Sequence, residues 1–443
     1  MQSNWLWGYF IPLGLLLLIW GGFSPRRARR VTALAALIIG VTALGYWATG
    51  YALHLGGVQV LDPENPALLG LNLLYGPARD WGFFGMQGFG LFNAALTPTA
   101  LALFLAYLPL ITGGVLLLAL ALAELRRWVM VVASLLGSMV VFPVAACWIW
   151  GGGWLSRIGH SLELGHGFVD FGGSALLFWL PASMAAGILL LQGRRPAQEP
   201  DGPPPAHFPM LASLGALLLV IGWMGWTFAA PFHTYGALLD LNRAAISALL
   251  GLSGAILTAQ LYAWLSTGEL EPLLSARGLA AGAGAALAGA AFVPAWAALA
   301  LGLLTGLLFP LLLYLIEHGL RLKDTAATLA LGLCGGFGVL AVGLFADGRW
   351  GQGWNAIAPS NGGEIPVGVA GLFAGAGVSQ LLAQLAGLAA LGLWGLLWGL
   401  LLGVIARPRR PRTVVAPAPV PAEEAAADPT PVSTDDTVGG DKA

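Results

Sequence analysis

Charge is what this chain has least of. Only 9% of its 443 residues are Asp, Glu, Lys or Arg, against 58% that are hydrophobic, and the mean hydropathy is +0.80. Soluble domains carry about a quarter charged residues, so a water-exposed globular fold is excluded. The net charge is -1 with a pI near 6.6, which removes the basic surface a nucleic-acid binder needs. Cysteine is scarce too. Cys147 and Cys334 both lie inside apolar runs and read as small buried hydrophobes, giving neither a disulfide framework nor a thiolate metal site. No nucleophile–base arrangement, phosphate-cradling loop or cofactor fingerprint is present. No catalytic residues, cofactor or metal site are therefore expected, and the chain is not read as an enzyme.

What the chain has instead is a succession of apolar runs of about 20 residues, the length that crosses a bilayer as a helix. In order they are Trp5–Trp20, Val31–Gly56, Leu101–Leu125, Val129–Trp150, Asp170–Leu191, Leu211–Phe228, Leu238–Trp264, Gly278–Phe292, Ala295–Glu317, Asp324–Ala346 and Val367–Ile405. The fold class is thus an all-α polytopic membrane protein of ~11 transmembrane helices. The last run exceeds one upright crossing, which predicts a tilted or protruding helix. Residues 1–9 contain no Lys or Arg, whereas Arg26, Arg27, Arg29 and Arg30 follow the first run. A cleaved signal has the opposite order, so the first run is expected to stay in the membrane. Basic residues recur after alternate runs, ending with Arg407, Arg409, Arg410 and Arg412, which predicts the N-terminus outside and the C-terminus in the cytoplasm. Residues 1–406 form the expected transmembrane domain. Residues 407–443, rich in Pro, Ala and acids, read as a disordered cytoplasmic tail.

The chemistry concentrates between Trp148 and Pro181. Trp148, Trp150 and Trp154 surround a Gly151-Gly152-Gly153 turn, His160, Glu163 and His166 follow, and Asp170 opens the next apolar run. An acid beside a membrane span is costly and normally kept for a purpose, and tryptophan faces attract cations. Asp170 followed by Phe178 parallels Asp324 followed by Leu331, each pair setting an acid near a helix start and a side chain roughly 12 Å deeper. Two inverted five-helix repeats plus a long final helix would account for that parallel.

Several of these residues carry a family resemblance. Pro143-Val144-Ala145, Trp150-Gly151-Gly152-Gly153-Trp154-Leu155 and Asp170-Phe171-Gly172-Gly173 resemble the P-V-A-H-x-V-W-G-G-G-W-L … D-F-A-G-G signature of the ammonium transporter (Amt/Mep/Rh) superfamily. Gly50-Tyr51-Ala52-Leu53, Gly222-Trp223-Met224-Gly225-Trp226 and Gln380-Leu381-Leu382-Ala383-Gln384-Leu385 are similar to further family motifs. The resemblance implies a homotrimer in the plasma (inner) membrane with one narrow conduit per subunit. An outer aromatic site would collect ammonium, and two histidines would line the dry section. Carried over residue by residue, Trp150 falls on the aromatic of the outer site. Asp170 falls on a buried acid that holds loop backbone and favours the cation, Leu110 on a phenylalanine, and Ala230 or Pro231 on a hydroxyl partner. The gate phenylalanine falls on Trp226, and the two pore histidines fall on Phe178 and Leu331. The chain is therefore a divergent member by resemblance, deficient in both pore histidines. Asp324 reads as a helix cap, and His54, His160, His166, His207, His233 and His318 as solvated loop residues. The tail lacks the family's G-L-R … H-G-E-x-A-Y segment, so docking of a PII-type regulator is not expected. The resulting expectation is a channel conducting ammonia/ammonium or a similar small solute through an apolar pore. The alternative is a non-conducting paralogue acting as a sensor, binding protein or assembly subunit.

Overall fold

Helix starts in this chain are written as a short polar residue followed by proline, and the structure uses them that way. Ser24 accepts from the Arg27 N–H at 3.4 Å ahead of Pro25, and Thr97 accepts from the Ala100 N–H at 3.1 Å ahead of Pro98. Glu271 accepts from the Leu273 and Leu274 N–H groups ahead of Pro272. A side-chain acceptor there satisfies N–H groups with no partner inside the helix, and proline at the first position loses nothing. The computed structural model describes residues 4–192, 205, 207–229, 237–357 and 368–407.

Eleven membrane-length or shorter apolar helices follow one another among the described residues. They are α1 (Phe10–Trp20), α2 (25–55), α3 (Pro98–Ala121), α4 (127–150), α5 (Ala175–Leu190), α6 (Phe208–Ala229), α7 (Leu241–Thr267), α8 (Pro272–Leu287), α9 (Ala295–Gly319), α10 (Thr328–Phe345) and α11 (Ser379–Ala406). Most boundaries shift by a few residues from the sequence reading, and α2 begins at Pro25, six residues before Val31. The last helix begins at Ser379, twelve residues after Val367, because Gly371, Gly375 and Gly377 break the backbone before it. Its 28 residues rise about 42 Å, still longer than the roughly 30 Å of one upright crossing. The short span α8 begins at the Glu271 cap, six residues before Gly278.

The two halves pack alike. The α1–α3, α3–α5 and α2–α4 pairs are matched by α6–α8, α8–α10 and α7–α9. At the centre α1 and α6 cross reciprocally. A methyl group on Gly14 would lie 2.6 Å from Leu219 Cα, and one on Gly215 would lie 2.8 Å from the Leu17 carbonyl carbon. Only glycine permits that backbone approach, the usual route to close helix pairs in lipid. Proline sits just after a widened π-type turn in α4 (Gly137–Val141, then Pro143) and in α5 (Ala175–Trp179, then Pro181). The extra residue relieves the clash between a proline ring and the preceding carbonyl.

The basic groups Arg26, Arg27, Arg29, Arg30, Arg126 and Arg127 gather where α2 starts, α3 ends and α4 begins, with Arg27 paired to Glu124 at 2.7 Å. The opposite end carries a folded segment between α2 and α3 with a small hairpin, Leu74–Tyr75 against Phe84–Gly85. Of the tail read from the sequence, residues 408–443 lie outside the described residues, as do Arg194, Arg195, Ala230, Pro231 and His233.

Candidate functional site

The stretch between α4 and α5 is held by side chains from far along the chain. Gln380 accepts from the His166 N–H at 2.8 Å and donates to the Gly167 carbonyl at 2.9 Å. One turn on, Gln384 accepts from the Val169 N–H at 2.9 Å and donates to the Val169 carbonyl at 2.7 Å. Asn355 donates to the carbonyls of His166 and Phe168. These amides give an irregular buried segment the partners that helix or sheet would supply. Spacing of four residues on α11 puts both glutamines on one face, which is why the Q-L-L-A-Q-L motif works as a pair. Farther out, Arg157 pairs with Asp80 at 2.8 Å and His160 meets the other oxygen at 2.9 Å. Partial desolvation pushes the Asp80 carboxyl up. The hydrogen bond and charge of Arg157, with His160, outweigh it and hold it below the usual carboxylate range.

Asp170 emerges from this loop fully buried. Its carboxylate accepts from the Ser174 and Ala175 N–H groups at 2.9 and 2.8 Å, while its backbone carbonyl accepts from Trp150 Nε1 at 3.1 Å. One residue thus caps α5 and sets the Trp150 ring. Gly173 takes φ +76, and a methyl group there would stand 3.0 Å from both Leu110 Cδ2 and Trp150 Cη2. Leu110 and Trp150 therefore meet over a bare glycine. The second half repeats the device. Asp324 accepts from the Ala326 N–H at 3.1 Å and the Leu329 N–H at 2.9 Å, and Ala327, three residues on like Gly173, has φ +55.

Phe178 is eight residues beyond Asp170, and Leu331 seven beyond Asp324. The widened turn Ala175–Trp179 exists only in α5 and absorbs that one-residue difference. Phe178 is completely buried, its ring edge-on to Trp223 with centroids 5.2 Å apart. A methyl group on Gly284 of α8 would touch its Cδ2 at 2.6 Å, and one on Gly335 of α10 its Cβ at 3.2 Å. Leu331 is 1% exposed on α10, next to Gly332, where an added methyl group would stand 3.0 Å from the Phe178 carbonyl oxygen. Trp226 is 1% exposed, donates to the Ala106 carbonyl at 2.6 Å, and has its ring 6.0 Å from that of Trp150. Side chains this buried leave no water-sized gap beside them.

The structure brings together Trp150, Leu110 and Trp226 at one level, and Phe178 and Leu331 on facing helices below. Three residues at these levels were not singled out from sequence. Tyr107 stands one turn before Leu110, its ring 5.6 Å from Trp150 and 5.8 Å from Trp226. Trp223 backs Phe178 and donates to the Gly172 carbonyl at 2.5 Å. His54, expected in a solvated loop, is wholly buried at the end of α2, because that turn lies beneath the folded segment and against α6's neighbours Tyr107 and Trp150. His166 is likewise buried, 4% exposed, drawn in by Gln380. His160, His207 and His318 are exposed. The helical spacing of Tyr46, Tyr51 and His54 on one apolar run was the available signal for a buried imidazole. Cys147 and Cys334 are free and buried, and no cluster of three metal-ligating side chains occurs among the described residues.

Two halves of like packing, an acid capping the fifth and tenth helices, and a buried line of side chains between them define a multi-pass helical membrane protein of the inverted-repeat transporter type. The chain belongs to the Ammonium Transporter Family, whose sequence model matches residues 6–408. It is similar to ammonium transporter Amt2 of Archaeoglobus fulgidus, 26% identical over 351 residues, covering 77% of this chain and 70% of that one. In fold it is similar to Saccharomyces cerevisiae Mep2, with a TM-score of 0.70 at 20% identity over 95% of this chain and 94% of the other. A protein described as a sensor Amt protein matches equally, with a TM-score of 0.70 at 20% identity over 91% and 92%.

Proposed function

We propose that this protein is an ammonium transporter-like channel that collects ammonium at the level of Trp150, Leu110 and Asp170, where the ion returns its proton to the outer water, and passes neutral ammonia inward past Phe178 and Leu331. The observation that carries the reading is the pairing of levels: an aromatic level fixed by Asp170, and directly along α5 an apolar level facing α10. Bare cations are very costly in hydrocarbon, whereas removing a proton at pH 7 costs only about 4 kcal/mol for an amine of ordinary basicity. A passage lined by phenyl and isobutyl groups therefore suits the neutral form and offers a proton nothing to ride on. Its closed state opens by side-chain rotation of Phe178 and Trp226. Ala230 would stand where a hydroxyl partner is missing, so the aromatic faces would carry more of the cation's binding.

The protein sits in the plasma membrane with its N-terminus outside and its C-terminus in the cytoplasm, a reading supported by the arginines gathered at the α2–α4 end. The homotrimer implied by the resemblance is part of the proposal, and the mass of the detergent-purified particle tests it. Proteoliposomes should take up radiolabelled methylammonium faster than empty vesicles. Equal uptake overturns the channel and leaves the packed line as a plug.

A further inference from the structure

The apolar midsection carries no imidazole of its own, and of the two imidazoles buried elsewhere in the same half, His54 and His166, only the first lies against the outer aromatic rings. His54 is 0% exposed at the end of α2. Its Nδ1 shares a 3.0 Å hydrogen bond with the Tyr46 hydroxyl, while Nε2 has no hydrogen-bond partner. The Tyr107 ring packs edge to face against the imidazole at 4.7 Å, and the Trp150 ring lies 6.4 Å away. Tyr107 and Trp150 are themselves within 6.0 Å of Trp226. An orphaned polar atom inside an apolar core is costly and uncommon, and an aliphatic side chain would fill the space without that cost.

We propose that His54 is a substrate-binding residue of the outer site, its Nε2 accepting a hydrogen bond from an N–H of a small ammonium-class cation that enters beside the Tyr107 and Trp150 rings when the Trp226 ring, packed on both, swings aside. With Nδ1–H donated to the Tyr46 oxygen, Nε2 keeps a lone pair for the ligand. Aromatic faces attract any cation, so they set affinity, while a bare acceptor distinguishes one that carries N–H donors. His54 would thus do for this chain what the missing partner at Ala230 does not. This assignment rests on the ammonium reading above, and it adds a residue that the sequence had left in a loop.

The test is methylammonium uptake by proteoliposomes of H54N, H54L and H54Q beside the wild type. Asparagine keeps a group at the Nδ1 position and none at Nε2, leucine has neither, and glutamine restores a polar atom near Nε2. H54N and H54L should raise the KM at least about tenfold with Vmax little changed, and H54Q should stay within about threefold. Monodisperse elution and melting temperature confirm that each variant folds. Should neither H54N nor H54L fold, wild-type competition decides: potassium, a similar-sized cation without N–H donors, should inhibit at least about tenfold more weakly than ammonium. Unchanged KM in H54N and H54L, or equal inhibition by potassium, overturns the His54 assignment while leaving the channel intact. A wild type no faster than empty vesicles removes both.

Discussion

The level of Trp150 and the level of Phe178 are built from opposite materials. At the outer level the Trp150, Tyr107 and Trp226 rings surround a backbone carbonyl network and the His54 imidazole. In the middle, Phe178 meets Gly284, Gly335 and the Trp223 ring, and Leu331 lies buried on the facing helix α10, neither with a polar side chain of its own. The contrast separates two tasks. Recognition of a cation needs quadrupoles and acceptors, whereas passage of a neutral amine needs only a dry, movable lining. On the proposed reading, in which Phe178 and Leu331 line the passage, binding and charge movement come apart.

The contrast is broken most strongly by giving the middle the character of the outer level. F178H with L331H should produce ammonium-dependent current on supported membranes where the wild type gives none above background; no current would mean the outer level is closed as well. Asp170 joins the two levels, so D170A should destabilise by about 3 kcal/mol, the loss of two hydrogen bonds to a charged group, followed by denaturant titration in mild detergent. D324A makes the equivalent cut in the second half and should unfold at a similar denaturant concentration without altering the KM. At the outer level alone, W150L should raise the methylammonium KM about 2- to 30-fold, the range of a cation–π contact of ~0.5–2 kcal/mol. A wild-type KM would remove the ring from the site.

The smallest effect is at the rim. The Asp80 carboxyl is held below its ordinary pKa by Arg157 and His160, so its folded form is the more acidic one. The clamp therefore contributes fully above about pH 4, the ordinary carboxylate value, and is lost as the pH falls through the depressed value. At about 0.5 kcal/mol, the worth of a part-exposed pair, D80N should shift the melting temperature slightly at pH 7 and not at all once the wild-type carboxyl is protonated.

Much of this architecture was legible in the chain. Apolar run lengths and the basic groups after alternate runs follow from local rules, as does the acid at the head of α5, whereas hydropathy passed over the Ser24-Pro25 and Thr97-Pro98 caps and started those runs at Val31 and Leu101. The paired aspartates were visible too, but the one-residue offset between Phe178 and Leu331 was not, since a widened turn leaves no composition of its own. The head of α11 was misplaced because glycines and apolar residues continue up to Ser379, and hydropathy does not register a backbone break. His54 was assigned to water for a related reason. Only the fold reveals that the end of α2 is covered by the segment carrying the Phe84–Gly85 strand and sits beside Tyr107. Burial of a single polar residue is a tertiary fact, and the neighbours that cause it, Phe84, Tyr107 and Trp150, lie 30, 53 and 96 residues on in sequence.

The separation of recognition from charge movement is tested most directly by measuring flux and current on the same proteoliposomes under an ammonium gradient. The account predicts methylammonium accumulation above empty vesicles with no matching current in the wild type. Current in step with uptake would show that protons or whole cations cross the phenyl and isobutyl lining, and uptake no greater than that of empty vesicles would show that nothing does; either result contradicts it.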